Sequence, residues 1–573
     1  MPKNSGIVAA ALALGLALVV SSCAQTSPTA SGASAFSAQN AFYLERLAAA
    51  GGDLAKRCDA MNHLDLDAVG DAPARVTATS VVIGKKTAPR EKTMFVKRGH
   101  SQGSPTPPLD EYPPHCRIEG YIAPQTKFVL LLPLEKKSWN ERFMLAACDG
   151  FCGAAHPEAP VPGLYRGFAT ITNNGGHDSR APFDAVWAYN NREGEIDFGY
   201  RANHITAQVG KAITEAYYGA KPKFSYLAGF SKGGNAGVVS AQRYPDDFDG
   251  IFSKAPVVEY QAKNNAHFPW IARAAYPDGK TPVMFAEKVP VLQNGVMKAC
   301  DEIDGLKDSV IQDPRKCTFD PVALLCKPSE DESKCLTSGQ VEAVRKIYTQ
   351  PTDKDGKIYY HAAENFGSEG DWGRFIFPEA EGVNIGYSAW GGAGSLRYLA
   401  FEHDPGPGYD WTSFDYPTEH QKLDFMSEIL DADSPDMKAF KETGGKIIIV
   451  HGWADGAISA QMTISWFEKV QAFMGGRAAT GEFAQLYVVP GIKHGSGGTA
   501  PYEYDAIGPL MKWVEEGIAP SQLMMVDDMY VREGTPEWVT VQRTRPAFPW
   551  PARYQWDGKG DPNVASSFVR VED

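Results

Sequence analysis

Several absences narrow the reading of this 573-residue chain before any motif is considered. It has no basic tract: 56 Lys and Arg against 69 Asp and Glu give a net charge of -13 spread along the length, so nucleic acid is not an expected partner. The apolar run from Gly6 to Val20 is too short to span a bilayer comfortably. No cysteine spacing makes a zinc site, since Cys148-Asp-Gly-Phe-Cys152 lacks the second ligand pair that zinc needs. No EF-hand is present either, because the acidic turn near residue 304 is short and lacks a closing glutamate. What remains, at 43% hydrophobic and 22% charged, is a globular chain long enough for a large core and more than one structural unit.

Lys3, the run Gly6 to Val20 and then Val20-Ser21-Ser22-Cys23 read as an export signal whose last residues are lipobox-like. On that reading residues 1–23 are the signal, Cys23 becomes a lipid anchor to a membrane, and 24–40 form a flexible Ser/Ala/Thr-rich tether. The alternative is ordinary cleavage and release. Either places the protein outside the cytoplasm, as a periplasmic or outer-membrane lipoprotein or as a secreted protein. Eight further cysteines, an even count in an exported chain, fit disulfides better than free thiols.

The densest chemical signal is Gly229-Phe230-Ser231-Lys232-Gly233. Phe224 to Ala228 before it reads as a buried strand, and Gly234 to Tyr244 after it as a helix stopped by Pro245. A serine between two glycines at such a junction is a nucleophile elbow, in which the glycines let the backbone turn tightly enough to push the hydroxyl out of the sheet.

Upstream, alternating segments from Val76 to about Leu134 predict strands, and Arg142 to Ala147 predicts another that runs into Cys148-Asp-Gly-Phe-Cys-Gly153. A glycine loop directly after a strand and ahead of the elbow is where an α/β hydrolase places one oxyanion amide; Gly150 is the candidate, with the Lys232 amide as the second. His177 and Asp178 follow the strand Phe168 to Thr172, yet they precede the serine, whereas this fold supplies its acid and base after it. They are read as loop-stabilising. Downstream, the strand Lys446 to Val450 leads to His451-Gly-Trp-Ala-Asp455, and Gln485 to Val489 leads to Pro490-Gly-Ile-Lys-His494. The order Ser231, Asp455, His494, each at a strand end, is that of an α/β-hydrolase triad. His451, in the same block as Asp455, is taken as a candidate substrate contact.

These patterns predict an α/β-hydrolase domain built from 41–255 and 445–573, with a lid domain, 256–444, inserted between its strands. The lid aromatics, among them Trp372, Phe375 and Phe377, are each read as core before pocket. Within the lid, Asp301, Asp304 and Asp308 surround Gly305 and offer hard oxygen donors suited to calcium; a solvated acidic turn is the competing reading.

Phe198-Gly-Tyr-Arg-Ala-Asn-His204, Tyr226-Leu-Ala-Gly-Phe-Ser231-Lys-Gly-Gly, Ala241 to Ile251, Cys300 to Asp308, the blocks ending in Asp455 and His494, and Trp513-Val-Glu-Glu-Gly517 together resemble the tannase and feruloyl esterase family, which includes mono(hydroxyethyl) terephthalate hydrolases. The resemblance runs from about Cys58 to the C terminus. It implies serine esterase chemistry on a small-molecule ester and a structural Ca2+ held by Asp301, Asp304 and Asp308 with the Leu306 and Val310 carbonyls. It also implies the pairs Cys58 with Cys116, Cys300 with Cys317 and Cys326 with Cys335, leaving Cys148 and Cys152 for each other. The family's C-terminal cysteine pair is absent, but another departure matters more for the site. A disulfide usually ties the residue before the serine to the residue after the histidine, and here those positions are Phe230 and Gly495. An aromatic ring facing a glycine is expected to fill the space by packing.

The function expected is carboxylic ester hydrolysis through an acyl-enzyme, on aromatic esters. The rivals are a non-catalytic surface protein on the same scaffold, and an amide or lactone hydrolase.

Overall fold

The computed structural model describes residues 54–83, 112–181, 183–352, 355–356, 358, 363–380, 386–495, 497–527 and 543–572. The stretches read as an export signal and tether, with Cys23, lie outside them. Nine strands form one sheet: β1 (Ala74–Val82), β2 (His115–Ile122), β3 (Thr126–Pro133), β4 (Arg142–Ala146), β5 (Ala169–Asn173), β6 (Phe224–Phe230), β7 (Gly250–Lys254), β8 (Lys446–Gly452) and β9 (Ala484–Val489). Their spatial order is β1-β2-β3-β5-β4-β6-β7-β8-β9. β1 to β3 make an antiparallel meander that joins β5 antiparallel; from β5 across to β9 every pairing is parallel. Parallel strands need crossovers; the helices Ala202–Tyr218 and Lys232–Arg243 supply two of them and pack on one face with Leu145, Leu227 and Ile449, while the helix Ile507–Glu516 covers Phe252, Ile448 and Val450 on the other. Ile447, Ile448, Ile449 and Val450 of β8 are accordingly all buried, although a one-sided strand would alternate.

Register brings the chemistry to one edge. Ala146 pairs with Ala228, Phe230 with Lys254, Lys254 with Val450, and Gly452 with Val489. The carboxyl ends of β4, β6, β7, β8 and β9 therefore finish side by side, and the loops that leave them meet there. β7 was not foreseen as a strand, and the helix after the elbow starts at Lys232 rather than Gly234.

The chain between β7 and β8 carries the helices Phe268–Ala275, Val289–Cys300, Ser338–Ile347 and Tyr387–Tyr398. Its apolar residues, Trp372, Phe377 and Leu396 among them, join the same buried cluster as Leu145, Ile171 and Ile449 of the sheet. Disulfides link Cys58 to Cys116, Cys148 to Cys152, Cys300 to Cys317 and Cys326 to Cys335. Among the described residues no helix is long and apolar enough to cross a membrane.

Candidate active site

At the elbow Ser231 adopts φ 58° and ψ -116°, a conformation an L-residue reaches only under constraint. Both flanking glycines are needed to impose it. A Cβ on Gly229 would lie 2.0 Å from the Gly233 carbonyl oxygen, and one on Gly233 would lie 2.9 Å from that of Ala147, so the helix start sits directly on the strand and against the end of β4. The Ser231 amide donates to the Lys254 carbonyl at 2.9 Å, tying the turn to β7.

Asp455 and His494 reach the serine from the ends of β8 and β9. His494 Nε2 lies 3.2 Å from Ser231 Oγ, and Nδ1 lies 2.8 Å from Asp455 Oδ2. Burial alone raises a carboxyl pKa, but at Asp455 the His494 imidazole and hydrogen bonds from His451 and His494 outweigh it and hold the group well below the usual carboxylate range. The backbone amides of Ala457 and Ile458 donate to its other oxygen at 2.9 and 2.7 Å. An ionised Asp455 keeps the proton on Nδ1, which leaves Nε2 to accept from the Ser231 hydroxyl.

Gly150 and Lys232 border the same pocket as Ser231 and His494. Gly150 has φ +60°, a left-handed conformation that glycine adopts without penalty. Its loop is pinned on several sides. Cys148 and Cys152 bridge it, the Gly153 amide donates to the Asn174 carbonyl at 2.9 Å, and His177 Nε2 lies 2.6 Å from the Phe151 carbonyl oxygen. Burial pushes His177 down to about 4, so its ring is neutral at ordinary pH, and it stacks on Trp187 with centroids 3.5 Å apart. His177 therefore braces the loop that carries Gly150. The Lys232 side chain turns inward, with Nζ 2.7 Å from Asn235 Oδ1 and over the Phe198 ring, and burial lowers its pKa to about 7.

His451 requires a correction. It is fully buried, with Nδ1 2.9 Å from Thr463 Oγ1 and Nε2 2.9 Å from the Ile458 carbonyl and 3.3 Å from Asp455 Oδ2. It therefore braces Asp455 from behind, and no part of it is open to a substrate. The pocket is instead walled by Phe151, Phe183, Tyr260, Phe268, Phe375 and Ile458. Phe375 meets His494 edge-on, at 5.4 Å and 85°; of the lid aromatics named from sequence it alone borders this pocket, while Trp372 and Phe377 are core.

Two residues of the site were missed. Asp371, from the insertion, accepts from the His494 amide at 2.7 Å and from that of Gly456 at 3.4 Å, so one carboxylate holds both the base loop and the acid loop. Burial, with the Asp455 charge behind it, pushes Asp371 up to about 6. Nothing local marks this residue in the sequence. Lys254 ends β7, at the close of Gly250-Ile-Phe-Ser. The expected packing at Phe230 is present: its Cζ lies 3.4 Å from where a Gly495 Cβ would stand, and its ring lies 4.6 Å from that of His494.

In the acidic turn, Asp304 is pushed up to about 6 by burial and then by the charges of Asp308 and Asp301. Asp301 Oδ1 accepts from the Val310 amide at 3.1 Å, and Asp308 Oδ2 pairs with Arg545 at 2.9 Å. The donors are hard oxygens that repel one another, which suits calcium chemically. Among the described residues, however, no three acidic, His or Cys side chains are already drawn into a metal cluster.

A serine at a strand–helix elbow, with an aspartate-braced histidine arriving after it, defines a serine hydrolase of the α/β-hydrolase fold. Residues 113–571 match the family model described as tannase and feruloyl esterase, and the chain belongs to that family. It is a carboxylic ester hydrolase. The chain is 29% identical over 506 residues to an uncharacterised esterase of Xanthomonas campestris pv. campestris, covering 81% of this chain and 85% of that one. It is 29% identical over 526 residues to the mono(2-hydroxyethyl) terephthalate hydrolase of Piscinibacter sakaiensis, covering 80% and 85%. The crystal structure of feruloyl esterase B from Aspergillus oryzae superposes with a TM-score of 0.72 at 23% identity, over 91% of this chain and all of that one, and so shares the fold.

Proposed function

We propose that this protein hydrolyses esters of aromatic carboxylic acids through an acyl-enzyme. The observation that carries the reading is the connected chain Asp455–His494–Ser231 opening into a pocket walled by aromatic and aliphatic side chains. His494 Nε2 takes the hydroxyl proton as Ser231 Oγ attacks the ester carbonyl carbon. The backbone amides of Lys232 and Gly150 receive the oxyanion. Collapse breaks the ester C–O bond, His494 protonates the leaving alcohol, and a water deprotonated by His494 then releases the acid. The aromatic walls favour a flat acyl group, and the names of the relatives point the same way. Initial rates on matched benzoyl, cinnamoyl, acetyl and butyryl esters of one alcohol test it. The aromatic esters are expected to lead in kcat/KM by about tenfold or more; equal or higher values for the short aliphatic esters would discard the aromatic preference.

We also infer a structural calcium at Asp301, Asp304, Asp308 and the Leu306 and Val310 carbonyls, supported by burial and, after it, the neighbouring Asp308 and Asp301 charges, which together raise Asp304. It would supply charge neutralisation to that turn and no step of the reaction. The four disulfides support a working site outside the cytoplasm.

A further inference from the structure

Lys254 is a cation that this reaction does not use. It is only 3% exposed, and burial draws its pKa down to about 7 although the Asp455 and Glu503 carboxylates facing it pull the other way. Burying an ammonium is costly unless something is gained in return. What Lys254 touches shows the gain. Its carbonyl oxygen accepts from the Ser231 amide, and its Nζ donates to the carbonyl of Gly495, one residue past the catalytic histidine. Nζ also lies 5.6 Å from the centre of the Phe230 ring, which packs against both His494 and Gly495. A single residue thus holds the nucleophile through its backbone and the base loop through its side chain.

We propose that Lys254 is a positioning residue that fixes the His494 loop against the serine elbow. It is absent from the pocket wall, so it acts through His494 and not on substrate. With the His494 amide bonded to Asp371 and the next residue's carbonyl bonded to Lys254, the backbone is restrained on both sides of the imidazole. The ring then approaches Ser231 Oγ from a set direction. Removing the ammonium leaves the pocket intact and lets the base drift, so the loss belongs in turnover and not in binding.

The test compares Lys254→Met, which keeps the stem and removes the donors, with Lys254→Gln, which keeps a shorter N–H donor. Rates on p-nitrophenyl acetate and on an aromatic ester are normalised to active sites titrated with an organophosphonate. Lys254→Met is expected to lower kcat about tenfold or more on both esters with KM within about twofold, and Lys254→Gln to fall between it and wild type. Turnover retained within about twofold, or a loss carried by KM or confined to the aromatic ester, overturns the proposal; if the Met variant does not fold, Lys254→Leu, which likewise lacks a donor, is read by the same criteria. The proposal rests on Ser231 and His494 being the catalytic pair, so Ser231→Ala is run alongside. An active Ser231→Ala defeats that underlying reading, whereas an inactive one beside a fully active Lys254→Met defeats only the role of Lys254.

Discussion

The two loops that flank Ser231 are held by different means. The loop before it, 148–153, is stapled covalently between Cys148 and Cys152, backed by His177 and by the Asn174 carbonyl. The loop after it, around His494, carries no covalent tie; Asp371, Lys254, Phe230 and Phe375 surround it with hydrogen bonds and rings. The difference matches what the proposed mechanism asks of each loop. An oxyanion amide is most effective when it does not move, because its contribution depends on being oriented before charge develops. In the proposed mechanism the imidazole takes a proton from Oγ and then gives one to a leaving alcohol at another position, which calls for a restraint that yields slightly.

The comparison breaks hardest at Asp371. Asp371→Ala removes the acceptor shared by His494 and Gly456, and kcat is expected to fall about ten- to a hundredfold with little change in KM. Asp371→Asn, which retains an acceptor oxygen, should recover much of that in the same steady-state assay. A wild-type kcat for the Ala variant would mean that the base loop is held without it.

A smaller effect is expected on the stapled side. Replacing Cys148 and Cys152 together with Ser opens a five-residue loop, which costs about 2 kcal/mol by the chain-entropy relation, read from urea unfolding. The accompanying drop in kcat should be only about three- to tenfold, since His177 and Asn174 still brace the loop. A loss as deep as that of Asp371→Ala would reverse the comparison, making the covalent loop the more critical one.

Calcium provides the mildest test. The helix Val289–Cys300 runs into the acidic turn at Asp301, and its Gln293 lies against Gly370, next to Asp371. Chelation should lower the melting temperature by roughly a few degrees, while kcat changes by less than about twofold. An unchanged melting temperature at saturating calcium and after chelation would return the turn to a solvated acidic loop.

Much of this was legible in the sequence because the hydrolase strands are short apolar runs ended by glycine turns. Ser231, Asp455 and His494 were all found as residues just past such runs, and the pairing of Cys148 with Cys152 followed once the family pairs were set. What escaped depends on contacts between distant segments. Asp371 lies in an insertion without helical or strand periodicity, and only the fold brings it to His494. His451 was misassigned because a histidine beside an acid at a strand end reads the same whether it faces the pocket or the helix Ala460–Phe473; its bond to Thr463 decides the matter. Lys254 was missed along with β7, since five residues between an Asp-Gly turn and a proline carry too little pattern to separate a strand from a loop.

The most direct check on the triad and on the loops that hold it is the hydrolysis rate of Ser231→Ala on the best aromatic ester, with circular dichroism confirming the fold. Because the hydroxyl is the only group removed, turnover is expected to fall by several orders of magnitude, to near the buffer rate, with the spectrum unchanged. A correctly folded variant that keeps more than about a tenth of wild-type turnover would contradict the assignment of Ser231 as nucleophile, and with it the roles of His494, Asp455 and the two loops that position them.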